Sequence, residues 1–364
     1  MTRPAGRPAG CRPAVARTAA ANMAIMRAYR RFRWSEVPKR KRQLTYVGIF
    51  ATGVTATMNY KFRECIEIVG NPAQISNPNT LFWLRLLFGR TRSRWFGSLA
   101  ELHVPVALRS PLYRAFAWKY GANLDEVRYP LDSFGTFQEF FCRSLREGAR
   151  PIADVPDGLV SPVDGVVLTS GVINGPDARI EQVKGATYSV PSFLGFDPVD
   201  TIGADSALHY AVLYLAPGDY HRIHAPCGLD FKMGRHFCGE LLPLRRGFLQ
   251  RVSDVFAVNE RVVLTGTWQH GQMNLVAVAA ANVGNIFLDF DEKLKTNRMR
   301  DIVVHCGGDL STKRYPDGVQ LKAGDAVGGF RLGSTVVLVF EAQKSFAWSA
   351  RPGDTVRVGQ PLGA

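Results

Sequence analysis

Cysteine is scarce in this sequence, and the six cysteines show no C-x-x-C pair. A zinc site normally draws on cysteines and histidines at short, regular spacings, so no metal site is predicted. A disulfide framework is not expected either, because a chain of 364 residues that is 46% hydrophobic can stabilise itself by burying a core. The cysteines are therefore interpreted as small, partly buried apolar residues.

Acidic residues are absent from the first 34 positions, which are rich in arginine and alanine. Residues 1–43 contain twelve Lys and Arg against the single acid Glu36, so this leader carries +11 of the net charge of +14. Because the basic charge is concentrated there, and no nucleic-acid signature such as a ribonucleoprotein motif follows, nucleic acid is not expected as a partner. An acid-free cationic leader is typical of an organelle transit peptide, and a disordered basic tail is the alternative.

Charge is also missing from residues 44–60. As a helix this run would span about 25 Å, just enough to cross a thin bilayer, while its Gly and Thr residues leave a buried core helix as the alternative. Basic residues are denser before the run than after it. The positive-inside rule therefore places the N-terminal side in the matrix and the rest of the chain outside it.

Aromatic, aliphatic and basic residues interleave between positions 81 and 120. Helices of this composition can lie in a lipid headgroup layer, and an ordinary amphipathic pair packed on a core is the alternative. Pro151 and Pro156 mark the boundary of this region. From residue 159 onward, short apolar runs separated by turn residues predict a β-rich domain, and three similar Asp-Gly or Gly-Asp segments suggest recurrent hairpins.

The predicted fold class is therefore α+β, with an N-terminal helical membrane-associated region and a β-rich, barrel- or sandwich-like catalytic domain. The predicted order is a basic leader (1–43), a candidate transmembrane helix (44–60), the membrane-associated region (61–150) and the catalytic domain (151–364).

Three short motifs carry candidate chemistry, and the first is Gly333-Ser334-Thr335. It stands directly before an apolar strand, where glycine permits a sharp and accessible turn. The nucleophile elbow of hydrolases needs a glycine two residues on either side of the serine, but Leu332 and Val336 occupy those positions.

The second motif, at 219–224, places His221 and His224 three residues apart. A metal pair would need a third ligand that the sequence does not offer nearby, and two polar loop residues are the other alternative. A general base is favoured, because neutral imidazole removes protons well near neutral pH. The third motif contains Asp164-Gly165, which taken alone indicates a hairpin turn.

Together these motifs resemble phosphatidylserine decarboxylase, and the resemblance runs from about residue 109 to the C-terminus. Residues 332–335 match the family's Leu-Gly-Ser-Thr cleavage motif, residues 219–224 match its Asp-Tyr-His-x-x-His motif, and Asp164 matches its aspartate before glycine. The stretches 136–141 and 259–262 are similar to the family as well. The basic leader and the hydrophobic run are similar in character to the mitochondrial branch.

The resemblance implies an enzyme that cuts itself and converts phosphatidylserine to phosphatidylethanolamine and CO₂. His224 would take the proton of Ser334, while Asp164 fixes the imidazole and stabilises its charged form, in a Ser-His-Asp relay. Ser334 would attack the Gly333 carbonyl, and elimination of the resulting ester with loss of ammonia would leave a pyruvoyl group at residue 334. A large β chain ending at Gly333 and a small α chain would remain associated.

The pyruvoyl cofactor is expected to form a Schiff base with the serine headgroup and so to act as an electron sink. His221 is the preferred acid for the later protonation step. A phospholipid membrane is the predicted partner, because exposing each methylene of the lipid to water costs about 0.8 kcal/mol. The implied location is the mitochondrial inner membrane, with the catalytic domain facing the intermembrane space, and bacterial members suggest a homodimer by analogy.

Two other functions remain open from the residues alone. A conventional serine hydrolase or protease would use the same three residues in an intact chain. A non-enzymatic membrane adaptor with lipoyl-like hairpins would need a modifiable lysine in a hairpin turn, which the Gly353-Asp354 turn lacks.

Overall fold

The computed structural model of the protein describes residues 97–173, 179–183, 186–198, 202–203, 205–244, 246–249, 254–280, 285–294, 296–297, 310–331 and 334–364. The predicted leader and candidate transmembrane helix lie outside these residues, as does the membrane-associated region before residue 97. Within the described ranges, the helices are too short or too polar to cross a bilayer.

The described chain is mainly β-structure, which confirms the predicted β-rich domain. The helices are α1 (Val106–Tyr120), α2 (Phe137–Phe141), α3 (Val190–Leu194), α4 (Arg246–Leu249) and α5 (Val255–Val258), with a 3₁₀ turn at Leu131–Ser133. The strands are β1 (Leu159–Val160), β2 (Gly165–Ile173), β3 (Arg179–Val183), β4 (Ala186–Ser189), β5 (Ser206–Leu215), β6 (Arg222–His224), β7 (Leu229–Phe237), β8 (Arg261–Trp268), β9 (Gly271–Ala279), β10 (Ile286–Leu288), β11 (Leu310–Leu321), β12 (Ala326–Phe330), β13 (Ser334–Gln343), β14 (Thr355–Val356) and β15 (Pro361–Gly363).

The main sheet is antiparallel and has the strand order β11-β7-β8-β9-β13-β5-β2-β14. Among the described strands this sheet is open, with β11 and β14 at its edges, rather than closed into a barrel. A three-stranded sheet in the order β10-β12-β6 and two small pairs, β1-β15 and β3-β4, complete the pairing. The sandwich-like part of the prediction fits this arrangement better than the barrel.

Strand β13 lies at the centre of the main sheet and is buried on both faces. Val336, Leu338 and Phe340 belong to one core cluster, and Val337 and Val339 to the other. A strand covered on both sides is apolar at successive positions rather than alternate ones, which explains the unbroken hydrophobic run after the serine motif. Ser334 is therefore the first residue of a rigid central strand.

The helical part consists of α1, α2 and the aromatic side chains between them. The ring of Tyr113 stacks on that of Phe140 with centroids 4.4 Å apart. Helix α2 begins at a cap in which Thr136 Oγ1 accepts the Glu139 N–H at 3.1 Å, and the Glu139 carboxylate in turn accepts the Gly135 N–H at 2.7 Å. This cap fixes the direction in which the end of α2 approaches the β domain.

Candidate active site

The histidine motif contacts the chain just before the cleavage motif, although the sequence separates the two motifs by about a hundred residues. The first residue of β13, Ser334, is paired in register with Leu215 at the end of β5 and with Ala279 at the end of β9. The chain leaving β5 enters residues 216–224, called the histidine loop below. There the carbonyl of His221 accepts the Phe330 N–H at 3.0 Å. Leu332, Gly333 and the side chain of Ser334 lie outside the described part of the structure.

The histidine loop begins with a tight turn closed by Asp219. Its Oδ2 accepts the Ala216 N–H at 2.7 Å, and its own N–H donates to the Ala216 carbonyl at 2.9 Å. Burial raises the pKa of the Asp219 carboxyl. A Cβ on Gly218 would lie 2.1 Å from the carbonyl oxygen of Tyr120, so only glycine lets the loop pack against the end of α1.

His221 is fully buried and held by one ring nitrogen. Nδ1 is 2.9 Å from the carbonyl of Asp219, so this nitrogen carries the proton and donates it. The ring packs on Phe141 with centroids 4.1 Å apart. Burial lowers the pKa of His221 to about 3. Within the described residues Nε2 is buried without a hydrogen-bond partner, which leaves a free lone pair inside the site.

Both ring nitrogens of His224 have partners. Nδ1 donates to the carbonyl of Gly324 at 2.7 Å, and Nε2 accepts the hydroxyl of Tyr220 at 3.1 Å. Burial lowers the pKa of His224, and the charge of Arg222 acts in the same direction. The Gly324 carbonyl and the nearby Asp164 carboxylate raise it. The imidazole is therefore neutral near pH 7, and its charged form is favoured by a carboxylate that does not touch it.

A backbone hydrogen bond brings the Asp164 segment beside the histidine motif, but the carboxylate oxygens of Asp164 bind other residues. The His224 N–H donates to the Pro162 carbonyl at 2.8 Å, which brings the aspartate segment to β6. The Asp164 carboxylate accepts Nε of Arg150 at 3.0 Å, Nη2 of Arg150 at 2.5 Å and the Val358 N–H at 2.8 Å. The expected contact by which Asp164 would fix the imidazole is not formed among the described residues, because the His224 ring nitrogens bind Tyr220 and Gly324, and Asp164 acts on the ring through its charge.

Several charged residues at this site were missed by the sequence reasoning. Arg150 bridges Asp164 and Glu126, whose carboxylate it contacts at 2.8 Å. Arg143 is buried beside the histidine loop and donates Nη2 to the Gly218 carbonyl at 3.1 Å. Both arginines follow closely after the aromatic stretch 136–141, and this proximity is the signal in the sequence that could have found them.

Comparisons with known proteins point to one family. A family profile described as phosphatidylserine decarboxylase matches residues 137–364. The chain is 47% identical over 324 residues to the phosphatidylserine decarboxylase proenzyme 1, mitochondrial, of Toxoplasma gondii, covering 88% of this chain and 75% of the relative. It is 36% identical over 319 residues to the phosphatidylserine decarboxylase proenzyme of Plasmodium falciparum, covering 86% and 88%. It is 38% identical over 296 residues to the phosphatidylserine decarboxylase proenzyme, mitochondrial, of Cricetulus griseus, covering 76% and 71%.

Proposed function

Because this chain belongs to the phosphatidylserine decarboxylase family and is an enzyme of that family, we propose that it is a proenzyme that cuts itself between Gly333 and Ser334. The cut chain then converts phosphatidylserine to phosphatidylethanolamine and CO₂. The observation that carries this proposal is the contact between the histidine loop and the segment before the cut. The His221 carbonyl accepts the N–H of Phe330, four residues before Ser334, at 3.0 Å.

In the uncut chain His224 takes the hydroxyl proton of Ser334. The lowered pKa of His224 keeps it neutral and able to accept that proton, and the charge of Asp164 favours the imidazolium that forms. The Tyr220 hydroxyl donates to Nε2 of His224. For Nε2 to receive the proton of Ser334, this hydroxyl has to rotate away or relay the proton. The serine oxygen attacks the carbonyl carbon of Gly333, and the peptide bond is exchanged for an ester. The freed amine of residue 334 receives the proton from His224.

Removal of the α-proton of residue 334 then expels the Gly333 carboxylate. Addition of water to the remaining dehydroalanine releases ammonia and leaves a pyruvoyl group at the new N-terminus. No oxidant is needed, because water and ammonia balance the conversion. The products are a β chain that ends at Gly333 and an α chain that consists of β13 and the residues after it.

The surroundings of residue 334 fit such a group. Its main chain lies between the ends of β5 and β9, and the next residue, Thr335, is fully buried with an Oγ1 that lacks a partner among the described residues. Nε2 of His221, in the loop that accepts the Phe330 N–H, is a second buried polar atom without a partner among the described residues. A pyruvoyl group at this position would supply a carbonyl for the substrate amine and an electron sink for the pair left by CO₂.

His221 moves the proton of the substrate in this proposal. Its Nδ1 is fixed by the Asp219 carbonyl, so only Nε2 can exchange protons. Burial keeps the ring neutral and its Nε2 lone pair available, and the negative charges of the bound headgroup would favour the imidazolium that forms when Nε2 takes the proton of the incoming ammonium group. The same nitrogen then returns the proton to Cα after CO₂ has left.

The substrate is a lipid, so the enzyme has to work at a membrane surface. Helix α1 exposes Leu108, Leu112 and Trp118, the last with 88% of its surface exposed, and carries Arg114 and Lys119 beside them. Such a mixture of apolar and basic side chains suits the headgroup layer.

Relatives named mitochondrial and the cationic leader support a mitochondrial location. We place the chain at the inner membrane with its catalytic domain facing the intermembrane space.

The test of this function is replacement of the serine hydroxyl. Intact mass and N-terminal analysis of the parent should show two fragments, with a blocked α chain that begins at residue 334. The Ser334→Ala chain should stay whole and lack decarboxylase activity, because it has no nucleophile. Ser345, an exposed serine on the same side of the cut, provides the control, and Ser345→Ala should be cut like the parent. A parent that remains one polypeptide and reacts with a serine-directed inhibitor would instead support the hydrolase alternative.

A further inference from the structure

Arg143 is a buried guanidinium whose hydrogen-bonding capacity is only partly used. It is 3% exposed and lies over the ring of Phe140 at 5.4 Å. Nη2 donates to the carbonyl of Gly218 at 3.1 Å. Within the described residues, Nε and Nη1 are buried without a partner. A buried charged donor left without an acceptor is costly, so these two N–H groups call for a function.

Arg261 shows how the same chain satisfies a guanidinium at equal burial. It is 4% exposed, and its three nitrogens all donate to backbone carbonyls. Nε reaches Phe193 at 2.8 Å, Nη1 reaches Ala257 at 2.6 Å, and Nη2 reaches Ser192 at 2.9 Å. Arg261 is therefore structural, whereas the free donors of Arg143 are not explained by the packing around it.

The free donors of Arg143 belong to the catalytic site. Phe141, two residues before Arg143 in the sequence, packs on the ring of His221. The hydrogen bond that Arg143 donates goes to the Gly218 carbonyl in the histidine loop. The positive charge of Arg143 is near enough to contribute to the lowered pKa of His221. An anion bound to Arg143 would consequently lie close to the histidine that handles the substrate proton.

The acidic residues around Arg143 are already engaged. Asp164 and Asp219 both act on Arg143 through their charge. The Asp164 carboxylate, however, is bound by Arg150, and Oδ2 of Asp219 accepts the Ala216 N–H. Among the described residues no acceptor is bonded to Nε or Nη1 of Arg143, and an oxyanion that enters the site from outside the chain would supply one.

We propose that the Arg143 guanidinium binds the phosphodiester of the phospholipid headgroup along one edge, where the second N–H of Nη2 is parallel to an N–H of Nε or of Nη1, which makes Arg143 a substrate-binding residue. This inference rests on the proposed function. The headgroup offers two anions, a carboxylate and a phosphodiester. An arginine on the carboxylate would stabilise the ground state more than the transition state, because that charge is lost as CO₂ leaves. The phosphodiester keeps its charge throughout, and two parallel guanidinium donors suit its oxygens.

The experiment compares Arg143→Lys and Arg143→Gln with the parent and with the same two substitutions at Arg146. Arg146 is exposed, lies three residues further along and donates Nε to the Val127 carbonyl, so it controls for loss of an arginine in this segment. Self-cutting is followed by intact mass and folding by thermal unfolding. KM and kcat are measured on phosphatidylserine vesicles. Glycerophosphoethanolamine, which has the phosphodiester but no carboxylate, is titrated into the cut proteins by calorimetry.

Both Arg143 variants should fold and cut themselves. In Arg143→Gln, KM and the dissociation constant of glycerophosphoethanolamine should both rise by about tenfold or more, with kcat near that of the parent, since a contact made equally in ground and transition states affects binding alone. Arg143→Lys, which keeps the charge but not the paired donors, should show a smaller rise in both constants. The Arg146 variants should match the parent.

Each contrary result overturns the assignment in a distinct way. A raised KM with an unchanged dissociation constant for glycerophosphoethanolamine would place Arg143 on the carboxylate. Parent-like constants would remove Arg143 from substrate binding. Folded variants that stay uncut would assign it to the precursor chemistry, and failure of both variants to fold would make it a structural residue. A parent chain that neither cuts nor decarboxylates would instead refute the proposed function itself.

Discussion

His221 and His224 occupy one short motif, but the atoms around them differ in a way that separates their roles. His224 lies under the influence of the Asp164 charge, and both of its ring nitrogens have partners. His221 has a fixed Nδ1 and a buried, unpartnered Nε2 among the described residues. The first arrangement suits a base that becomes charged during self-cutting, and the second suits a proton carrier in the later reaction.

We therefore expect His224→Ala to stay uncut and His221→Ala to be cut but to decarboxylate slowly, by about 10²-fold or more for loss of a proton-transfer group. Cutting should be fast at neutral pH and slow only below pH 6.5, because burial lowers the pKa of His224 from that usual value. Cut fraction against time, followed across pH by gel and mass, provides the measurement. His270→Ala, at the turn between β8 and β9, is the control. Normal cutting of His224→Ala would reassign the base.

At the scale of elements, the segment before the cut is positioned by strand β12, which lies between β6 and β10. Gly329 pairs with Arg222 on one side and with Phe287 on the other. A Cβ at this position would lie 2.8 Å from the carbonyl oxygen of His221 and 2.9 Å from the Phe287 ring. The absence of a side chain here lets the cleavage segment and the histidine loop approach each other.

Gly329→Ala should consequently push the histidine loop away and slow self-cutting by about 10²-fold, since a shift on the order of 1 Å can cost that much in a positioned reaction. Gly228→Ala is the matched control, because a Cβ there would meet nothing within 4 Å. Both proteins are made by cell-free synthesis, the uncut fraction is followed by gel, and the fold is checked by circular dichroism. Cutting at the parent rate in a folded Gly329→Ala chain would contradict this role of β12.

Elements were predicted from the sequence wherever their signal was local. The apolar runs at 210–215, 261–264, 275–278 and 335–340 all lie in strands, because burial of both faces leaves an unbroken hydrophobic pattern. The strand order was not predictable, since it depends on register between distant segments: β13 pairs with β5 and β9 rather than with its neighbour in sequence, β12.

The same distinction separates the site residues that were predicted from those that were missed. Ser334, His221 and Asp164 stand in compact motifs, so their types and spacing were visible in the sequence. Arg143 and Arg150 act through partners that only the fold brings to them. A lone arginine in sequence looks like a surface charge, and its burial becomes visible only when the sheet and helices are assembled.

At the scale of the whole molecule, two ion pairs of Arg150 tie the helical part to the β domain. Arg150 contacts Glu126 on the helical side at 2.8 Å and Asp164 on the β side at 2.5 Å. The helical part also supports the histidine loop, because Gly218 packs against the end of α1 and Phe141 of α2 covers His221. The helices that expose apolar and basic residues outward therefore also form one wall of the site, which places the reaction near any bilayer that α1 contacts.

If α1 lies in the headgroup layer, Trp118 should be within reach of lipid chains. We expect lipids with brominated tails, mixed into phosphatidylcholine and phosphatidylglycerol vesicles that carry the full chain, to quench a component of the tryptophan fluorescence that Trp118→Phe removes. Trp348→Phe is the control, because that ring packs within the β domain against Phe340 and Phe346 and should contribute nothing to the quenched component. Phosphatidylglycerol is chosen because it is anionic but lacks the serine headgroup, so the signal reports surface contact rather than substrate binding. An unchanged quenched component in Trp118→Phe would show that α1 faces water, and the access of the lipid to the site would then have to come from another side of the molecule.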